Sequence, residues 1–171
     1  MTPSETIVRM GELAASSVPG HVLVSLGLGS CIGLALVDRR MGIAGLAHIV
    51  LPQSQGHGSE NPRKFADFAI PQLLDELEAL GARKIRLEAA LAGGASMFAV
   101  SASSLEVGQR NESAVRELLE QHRIPVVATA TGGSRGRTIR VDVGTSTITV
   151  REAGGKDTEL LASTRALEMT A

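Results

Sequence analysis

The chain has 171 residues and a formal net charge of -1, from 17 basic and 18 acidic side chains. This length fits one domain with a substantial core, and no apolar run reaches the roughly 18 residues that a membrane-spanning helix needs. Only 2% of the residues are aromatic and the charges are balanced, which argues against nucleic-acid binding and against attraction to anionic membranes.

Two further features concern the compartment. Residues 1–5 lack the basic and apolar regions of a signal peptide, and the single cysteine cannot form an internal disulfide. Thiols stay reduced in the cytoplasm, so the sequence predicts a cytoplasmic protein.

The first predicted elements are three closely spaced strands. Residues 1–20 form a mixed lead-in that ends at a Pro-Gly turn signal. Alternating apolar residues predict a strand from His21 to Leu28, and a continuous apolar run from Cys31 to Val37 predicts one that is covered on both faces. A third strand is predicted from Ile43 to Leu51, stopped by Pro52. Connections this short indicate pairing that is at least partly antiparallel.

Two helices are predicted in the rest of the chain. Apolar residues at helical spacing predict a helix from Phe65 to Leu80, although Pro71 inside it predicts a kink or a break. Asn111 is expected to cap the start of the second helix. The tail from Gly154 is expected to be frayed or weakly helical.

Four more strands are predicted, at Lys84 to Ala90, Ile124 to Ala128, Thr138 to Val143 and Thr147 to Arg151. The last two are joined by a hairpin at Gly144.

The only cysteine is the residue most informative about chemistry. Cys31 ends the glycine-flanked run Gly27 to Cys31, and His48 follows on the next predicted strand. A thiol attacks as its thiolate, so a catalytic role predicts a pKa well below the ordinary value of about 8.5 and a histidine that takes the proton. The backbone N–H groups of Ser30 and Cys31 are candidates for holding an oxyanion, and the hydroxyl of Ser25 is a candidate for orienting the imidazole. The pattern indicates acyl transfer at an amide or ester.

A structural role for these residues is the alternative. A lone cysteine is commonly a small core residue, and a lone histidine is commonly structural. A metal site fits less well, because Cys31, His48 and His57 lack the short paired spacing of structural zinc sites. The sequence indicates no metal and no cofactor.

Several short motifs follow one another in a set order over about residues 20 to 152. They are Leu26 to Cys31, Gly45 to His48 leading to Leu51-Pro52, Gly93 to Phe98, Val107 to Asn111, Gly132 to Arg137 and the final hairpin. As an ordered set they resemble the CheD family of chemoreceptor glutamine deamidases. The resemblance implies a single α/β domain over residues 1–171, with its core at about 20–152. It also implies three layers, which we expect to contain a mixed, largely antiparallel sheet and two main helices.

The resemblance also implies a catalytic triad of cysteine, histidine and threonine. Carried over by position, Cys31 is the nucleophile and His48 the base, while Ser25 stands where the family has threonine. Serine keeps the hydroxyl group but loses the methyl group that restricts its rotamer. Ala130 is a second departure, at a position that is commonly acidic in the family.

The implied reaction is hydrolysis of glutamine side chains to glutamate and ammonia, through a thioester, in the cytoplasmic helices of methyl-accepting receptors. Some members also act on receptor methyl esters. Gly93, Gly94, Phe98 and Asn111 are candidates for bordering the substrate groove, with a tight turn as the alternative for the two glycines. Arg135 and Arg137 are expected to meet solvent or an acidic partner.

Two other functions remain open at this point. CheD proteins also bind the phosphatase CheC, so a non-catalytic module that docks on a receptor or on a CheC-type phosphatase is the main alternative. Another amide-acting thiol enzyme, such as a transglutaminase or a peptidase, is the third hypothesis.

Overall fold

The computed structural model describes residues 4–54, 61–96 and 102–163. These residues form ten strands and two α-helices, with single 3-10 turns at Pro62–Lys64 and Lys84–Arg86. The helices are α1 Ala66–Ala79 and α2 Ala102–Gln121. The strands are β1 Glu5–Ile7, β2 Leu13–Ser16, β3 Val22–Leu28, β4 Ile32–Asp38, β5 Ile43–Ile49, β6 Glu88–Gly93, β7 Val126–Thr131, β8 Arg137–Asp142, β9 Thr147–Glu152 and β10 Asp157–Leu161.

The described strands form two five-stranded sheets. The central sheet has the order β2-β5-β4-β6-β7, and the outer sheet has the order β1-β3-β8-β9-β10. Within them β1–β3 and β6–β7 are the parallel pairs. The two helices cover one face of the central sheet and the outer sheet covers the other face. The predicted three-layer α/β class, with two main helices and largely antiparallel pairing, is confirmed.

Strand β4 lies in the middle of this stack. Leu34 and Leu36 pack toward the helices, whereas Ala35 and Val37 pack toward the outer sheet. All seven residues of β4 are buried, as expected for a strand that is covered on both faces. The residues of β4 that face the outer sheet are thus smaller than the two leucines that face the helices.

The structure has two sheets where the sequence predicts one. Local alternation identifies a strand but not its partner, and β3, which precedes β4 closely, pairs with β1 and β8 in the other sheet. The lead-in contributes β1 to the outer sheet and β2 to the central sheet. The tail adds β10 beside β9, so the expectation of a frayed or helical tail is wrong there. Residues 164–171 lie outside the described residues.

The first helix agrees closely with its predicted span of Phe65 to Leu80. It continues through Pro71, so the predicted break does not occur. The predicted strand from Lys84 to Ala90 begins instead as a 3-10 turn, and the strand itself is β6. Neither described helix combines the length and the apolar character needed to cross a membrane.

The second helix begins earlier than the sequence predicts. It starts at Ala102, so Asn111 lies in its interior and the predicted N-cap is wrong. Gly108, which weakens helix propensity, has a packing role: a Cβ there would lie 2.7 Å from the carbonyl oxygen of Gly94. Glycine therefore lets α2 approach the segment after β6 closely.

Gly93 ends β6 in a conformation that other residues rarely adopt. Its φ is +110°, and a Cβ built on it would lie 2.0 Å from the carbonyl oxygen of Cys31. A side chain at position 93 is therefore opposed both by the backbone conformation and by a backbone atom, which cannot move aside as a flexible side chain can.

We expect Gly93→Ala to lower the free energy of unfolding much more than Gly20→Ala. Gly20 also has a positive φ, of +84°, but nothing lies within 4 Å of its Cβ direction. The backbone conformation costs roughly 1–2 kcal/mol at each site, and overpacking adds about 1–3 kcal/mol at Gly93. Urea unfolding of both variants measures the difference, and equal losses would contradict the close approach of Gly93 to the carbonyl of Cys31.

Candidate active site

Cys31 and His48 lie on the same face of the central sheet. Strands β4 and β5 pair Ile32 with Ile49 and Gly33 with His48. Cys31 packs in the cluster between the two sheets, and His48 shares the face of its paired residue Gly33. The thiol and the imidazole are therefore diagonal neighbours across two strands, an arrangement in which side chains can reach one another.

The protonation of the His48 ring is set by a backbone carbonyl. Its Nδ1 lies 3.2 Å from the carbonyl oxygen of Val8. A carbonyl oxygen only accepts hydrogen bonds, so Nδ1 carries the proton and Nε2 has a free lone pair. Nε2 is buried and has no hydrogen-bond partner among the described residues. The ring is thus in the tautomer that a general base requires.

Ser25 reaches the same carbonyl from the outer sheet. Its Oγ donates a hydrogen bond of 2.8 Å to the carbonyl oxygen of Val8, and its side chain is fully buried. The hydroxyl therefore bonds to the carbonyl that holds the imidazole, and not to the imidazole itself. Both groups share one acceptor, which can take two hydrogen bonds through its two lone pairs.

Burial keeps both reactive groups neutral at rest. Desolvation raises the pKa of the Cys31 thiol, and this outweighs a hydrogen bond from its own backbone N–H that favours the thiolate. Desolvation also lowers the pKa of His48, although the bond to Val8 and the charge of Glu12 oppose this. The lowered thiol pKa predicted from the sequence is therefore not found, and the pair suits proton transfer during attack rather than a preformed ion pair.

Each of the three successive carbonyl groups of residues 29–31 accepts a hydrogen bond. The N–H of Ala95 donates to the carbonyl of Gly29 at 2.8 Å, and the N–H of Gly94 donates to that of Cys31 at 2.9 Å. The Nδ2 of Asn111 donates to the carbonyl of Ser30 at 2.9 Å. The backbone that carries the thiol is thereby fixed.

Fixed carbonyls also fix the N–H groups that follow them. In a trans peptide the C=O and the N–H point in opposite directions, so the N–H groups of Ser30 and Cys31 face away from Ala95 and Asn111. Neither N–H donates a backbone hydrogen bond to any residue that the structure describes. The N–H groups of Ser30 and Cys31 lie beside the thiol, and the Cys31 N–H bonds its own sulfur in the resting protein. The two groups remain the candidates for an oxyanion hole.

Gly93 and Gly94 contact the segment of Cys31 through their backbones. Their turn is held by Arg137, whose guanidinium donates to the carbonyls of Gly93 at 3.2 Å and Gly132 at 2.8 Å. Arg137 is 9% exposed, so the expectation that it meets solvent or a partner is wrong. Arg135 is largely exposed, as expected.

The other candidates for the substrate groove are placed differently. Asn111 is fully buried beneath the segment of Cys31, where its amide bonds to backbone carbonyls. Phe98 and His57 lie outside the described residues. Within residues 4–54, 61–96 and 102–163, no group of three or more His, Cys, Asp or Glu side chains is arranged to hold a metal ion.

Comparison with known proteins assigns the family. The model of the family described as CheD chemotactic sensory transduction matches residues 50–152. A probable chemoreceptor glutamine deamidase CheD from Clostridium kluyveri is 43% identical over 157 residues, which cover 90% of this chain and 96% of the relative. A relative of the same name from Clostridium botulinum strain Alaska E43 is 45% identical over the same shares. The chain belongs to the CheD family.

A solved structure is also similar to this CheD family member. It is a Neisseria meningitidis protein of the family DUF152, with a TM-score of 0.46 and 9% sequence identity, covering 77% of this chain and 63% of that protein.

Sequence reasoning missed two parts of this CheD site. The carbonyl of Val8 gives no signal, because every residue has a carbonyl and the lead-in has no strong pattern. Asn111 does give a signal in the sequence. It precedes Val115 and Leu119 at spacings of four residues, which places all three on the same buried face of α2. A polar residue within an apolar stripe indicates a buried hydrogen bond rather than a helix cap.

We expect the Cys31 thiol to react with iodoacetamide with a half-point above the ordinary thiol pKa of about 8.5. Burial raises its pKa, so the thiolate forms only at higher pH. Mass spectrometry reports on this site alone, because the chain has one cysteine. The same protein unfolded in urea is the control and should show the ordinary half-point. A half-point below that control would indicate a preformed thiolate instead.

Proposed function

We propose that this protein is a cytoplasmic chemoreceptor glutamine deamidase in which Cys31 is the nucleophile and His48 the base. The names of the CheD relatives support the substrate. The observation that carries the chemistry is the hydrogen bond from Nδ1 of His48 to Val8, which leaves Nε2 free to accept a proton on the face that Cys31 shares.

The first half of the reaction forms a thioester. As the sulfur of Cys31 attacks the carboxamide carbon of glutamine, its proton moves to Nε2 of His48. The carbonyl oxygen becomes an oxyanion, which the N–H groups of Ser30 and Cys31 stabilise. The C–N bond then breaks, and the imidazolium gives its proton to the leaving nitrogen, which departs as ammonia.

The second half releases glutamate. His48 takes a proton from a water molecule as its oxygen attacks the thioester carbon, and the same two N–H groups hold the second oxyanion. The C–S bond breaks, and the imidazolium returns its proton to the sulfur of Cys31. One water is consumed and one ammonia is released for each glutamine, and both catalytic groups end in their neutral resting forms.

Ser25 acts on this chemistry through Val8. Its hydrogen bond fixes the carbonyl that orients the imidazole, so it is a positioning residue rather than a member of a directly bonded triad. Serine provides the same donor hydroxyl as the threonine of the family. It lacks the methyl group that restricts the rotamer of threonine, but its full burial restricts the rotamer instead.

We expect Cys31→Ala and His48→Ala each to abolish conversion of glutamine to glutamate in a receptor cytoplasmic fragment. Mass spectrometry would show a gain of about 1 Da per site with the unsubstituted protein, because an amide is replaced by an acid. Thermal unfolding of each variant is the control for folding.

Two other outcomes would contradict the proposal. Incorporation of an added primary amine instead of water would indicate a transglutaminase. Unchanged glutamine with the unsubstituted protein, together with binding of the Cys31→Ser variant to receptor or to a CheC-type phosphatase, would indicate a docking module.

We expect the deamidation rate to fall on the acid side only below about pH 6.5, the ordinary pKa of histidine. The pKa of His48 is lowered by burial, so the ring stays neutral and able to accept a proton as the pH falls past that value. Further acidification protonates Nε2 and removes the base. Ammonia release measured from pH 4.5 to 8, at roughly unit intervals, gives the profile. A loss that begins above the ordinary pKa would contradict the neutral resting pair.

A further inference from the structure

Asn111 is a buried polar residue on an otherwise apolar helix face. It is 0% exposed and lies between α2 and the central sheet, on the side that also carries Val115 and Leu119. Burying an amide in such surroundings is unfavourable unless its hydrogen bonds are made. Its Nδ2 makes two hydrogen bonds, whereas its Oδ1 is buried without a partner among the described residues. The two bonds from Nδ2 therefore indicate its role.

Two hydrogen bonds from the Asn111 amide go to the point where β4 and β5 separate. The regular pairing of these strands ends at Ile32 and Ile49. Nδ2 donates to the carbonyl of Ser30 at 2.9 Å and to the carbonyl of Val50 at 2.9 Å, one on each chain segment just beyond that end. Strand pairing no longer provides donors for these two carbonyls at the end of the β4–β5 pair. The two hydrogens of the Asn111 nitrogen provide them instead.

The bond to Ser30 bears on the neighbouring N–H group. The carbonyl of Ser30 and the N–H of Cys31 belong to the same planar peptide unit and point in opposite directions. Rotation of this unit would turn the N–H of Cys31 away from a substrate oxygen. The flanking carbonyls of Gly29 and Cys31 are held by backbone donors, so Asn111 is the side chain that holds the peptide between them.

We propose that Asn111 is a positioning residue, which holds the Ser30–Cys31 peptide so that the N–H of Cys31 faces the oxyanion of the acyl-transfer steps. This inference rests on the proposed function for the chemistry at Cys31. It assigns to Asn111 a role through the backbone rather than a contact with the substrate.

Two reagents separate this role from a general effect on the thiol. An activated ester such as p-nitrophenyl acetate acylates the sulfur through a tetrahedral oxyanion and releases p-nitrophenolate, so it needs the N–H donors. Iodoacetamide alkylates the same sulfur by displacing iodide and forms no oxyanion. A misplaced donor should therefore slow acylation and leave alkylation unchanged, whereas a disordered segment would change both.

The test compares Asn111→Ala with Ser113→Ala in the full chain at one pH. Ser113 is an exposed residue on the same helix and is the matched control. We expect the ratio of the acylation rate to the alkylation rate to fall roughly 10- to 100-fold in Asn111→Ala, because one donor is loosened rather than removed. The ratio should be unchanged in Ser113→Ala, and thermal unfolding monitors folding of both.

A second variant covers the case in which Asn111→Ala does not fold. Asn111→Leu has a similar volume but no side-chain hydrogen-bond donor, so it should lower the same ratio. A folded variant at position 111 with an unchanged ratio, or a proportional loss of both rates, would overturn the proposal. Failure of both variants to fold would also overturn it, because Asn111 would then be required for the fold itself.

The receptor-fragment assay keeps the two proposals apart. Suppose that the ester acylates Cys31 of the unsubstituted protein but receptor glutamine stays unchanged. The proposed deamidase function then fails, whereas the positioning role of Asn111 is still decided by the ratio of the acylation rate to the alkylation rate. If the unsubstituted protein is not acylated by the ester, the oxyanion role of the Cys31 N–H fails, and the inference about Asn111 fails with it.

Discussion

The carbonyl oxygen of Val8 is the acceptor on which the geometry of the site depends. It accepts a hydrogen bond from Nδ1 of His48, on the central sheet, and one from the hydroxyl of Ser25, on the outer sheet. It therefore joins the two sheets at the imidazole and selects the ring nitrogen that stays unprotonated. Val8 is 1% exposed, so little water can compete for this oxygen. A backbone atom in a short segment before β2 thus determines what a side chain on β5 can do.

A second constraint acts on the backbone segment that carries Cys31. The carbonyls of Gly29, Ser30 and Cys31 accept hydrogen bonds from Ala95, Asn111 and Gly94, respectively. These bonds restrict rotation of the segment, so the N–H groups of Ser30 and Cys31 have fixed directions, which the proposed oxyanion role requires. The small residues around it have a direct cause: the backbones of three elements pass within contact distance, and a methyl group at Gly93 or Gly108 would enter a neighbouring backbone.

Much of the fold follows from local pattern. Strands β3, β4, β5, β8 and β9 and helix α1 are where alternation and helical spacing predict them, because each buries one regular face or two. The division into two sheets is not predictable in this way, since pairing partners come from distant segments. In the site, the types and order of residues indicated Cys31 and His48. Three features could not be predicted from the sequence: the shared carbonyl of Val8, the burial of Arg137 and the interior position of Asn111 in α2. Each depends on which distant backbone segments come into contact.

The burial of the thiol has a consequence beyond turnover. Cysteine oxidation by peroxide proceeds through the thiolate and needs access to the sulfur. Cys31 is 8% exposed and burial raises its pKa, so both conditions are poorly met in the resting protein. In the proposed mechanism the sulfur gives up its proton only as it attacks the substrate, so between turnovers the thiol is shielded from conversion to sulfenic acid. The same packing that raises the pKa of the thiol also limits the contact of peroxide with the sulfur.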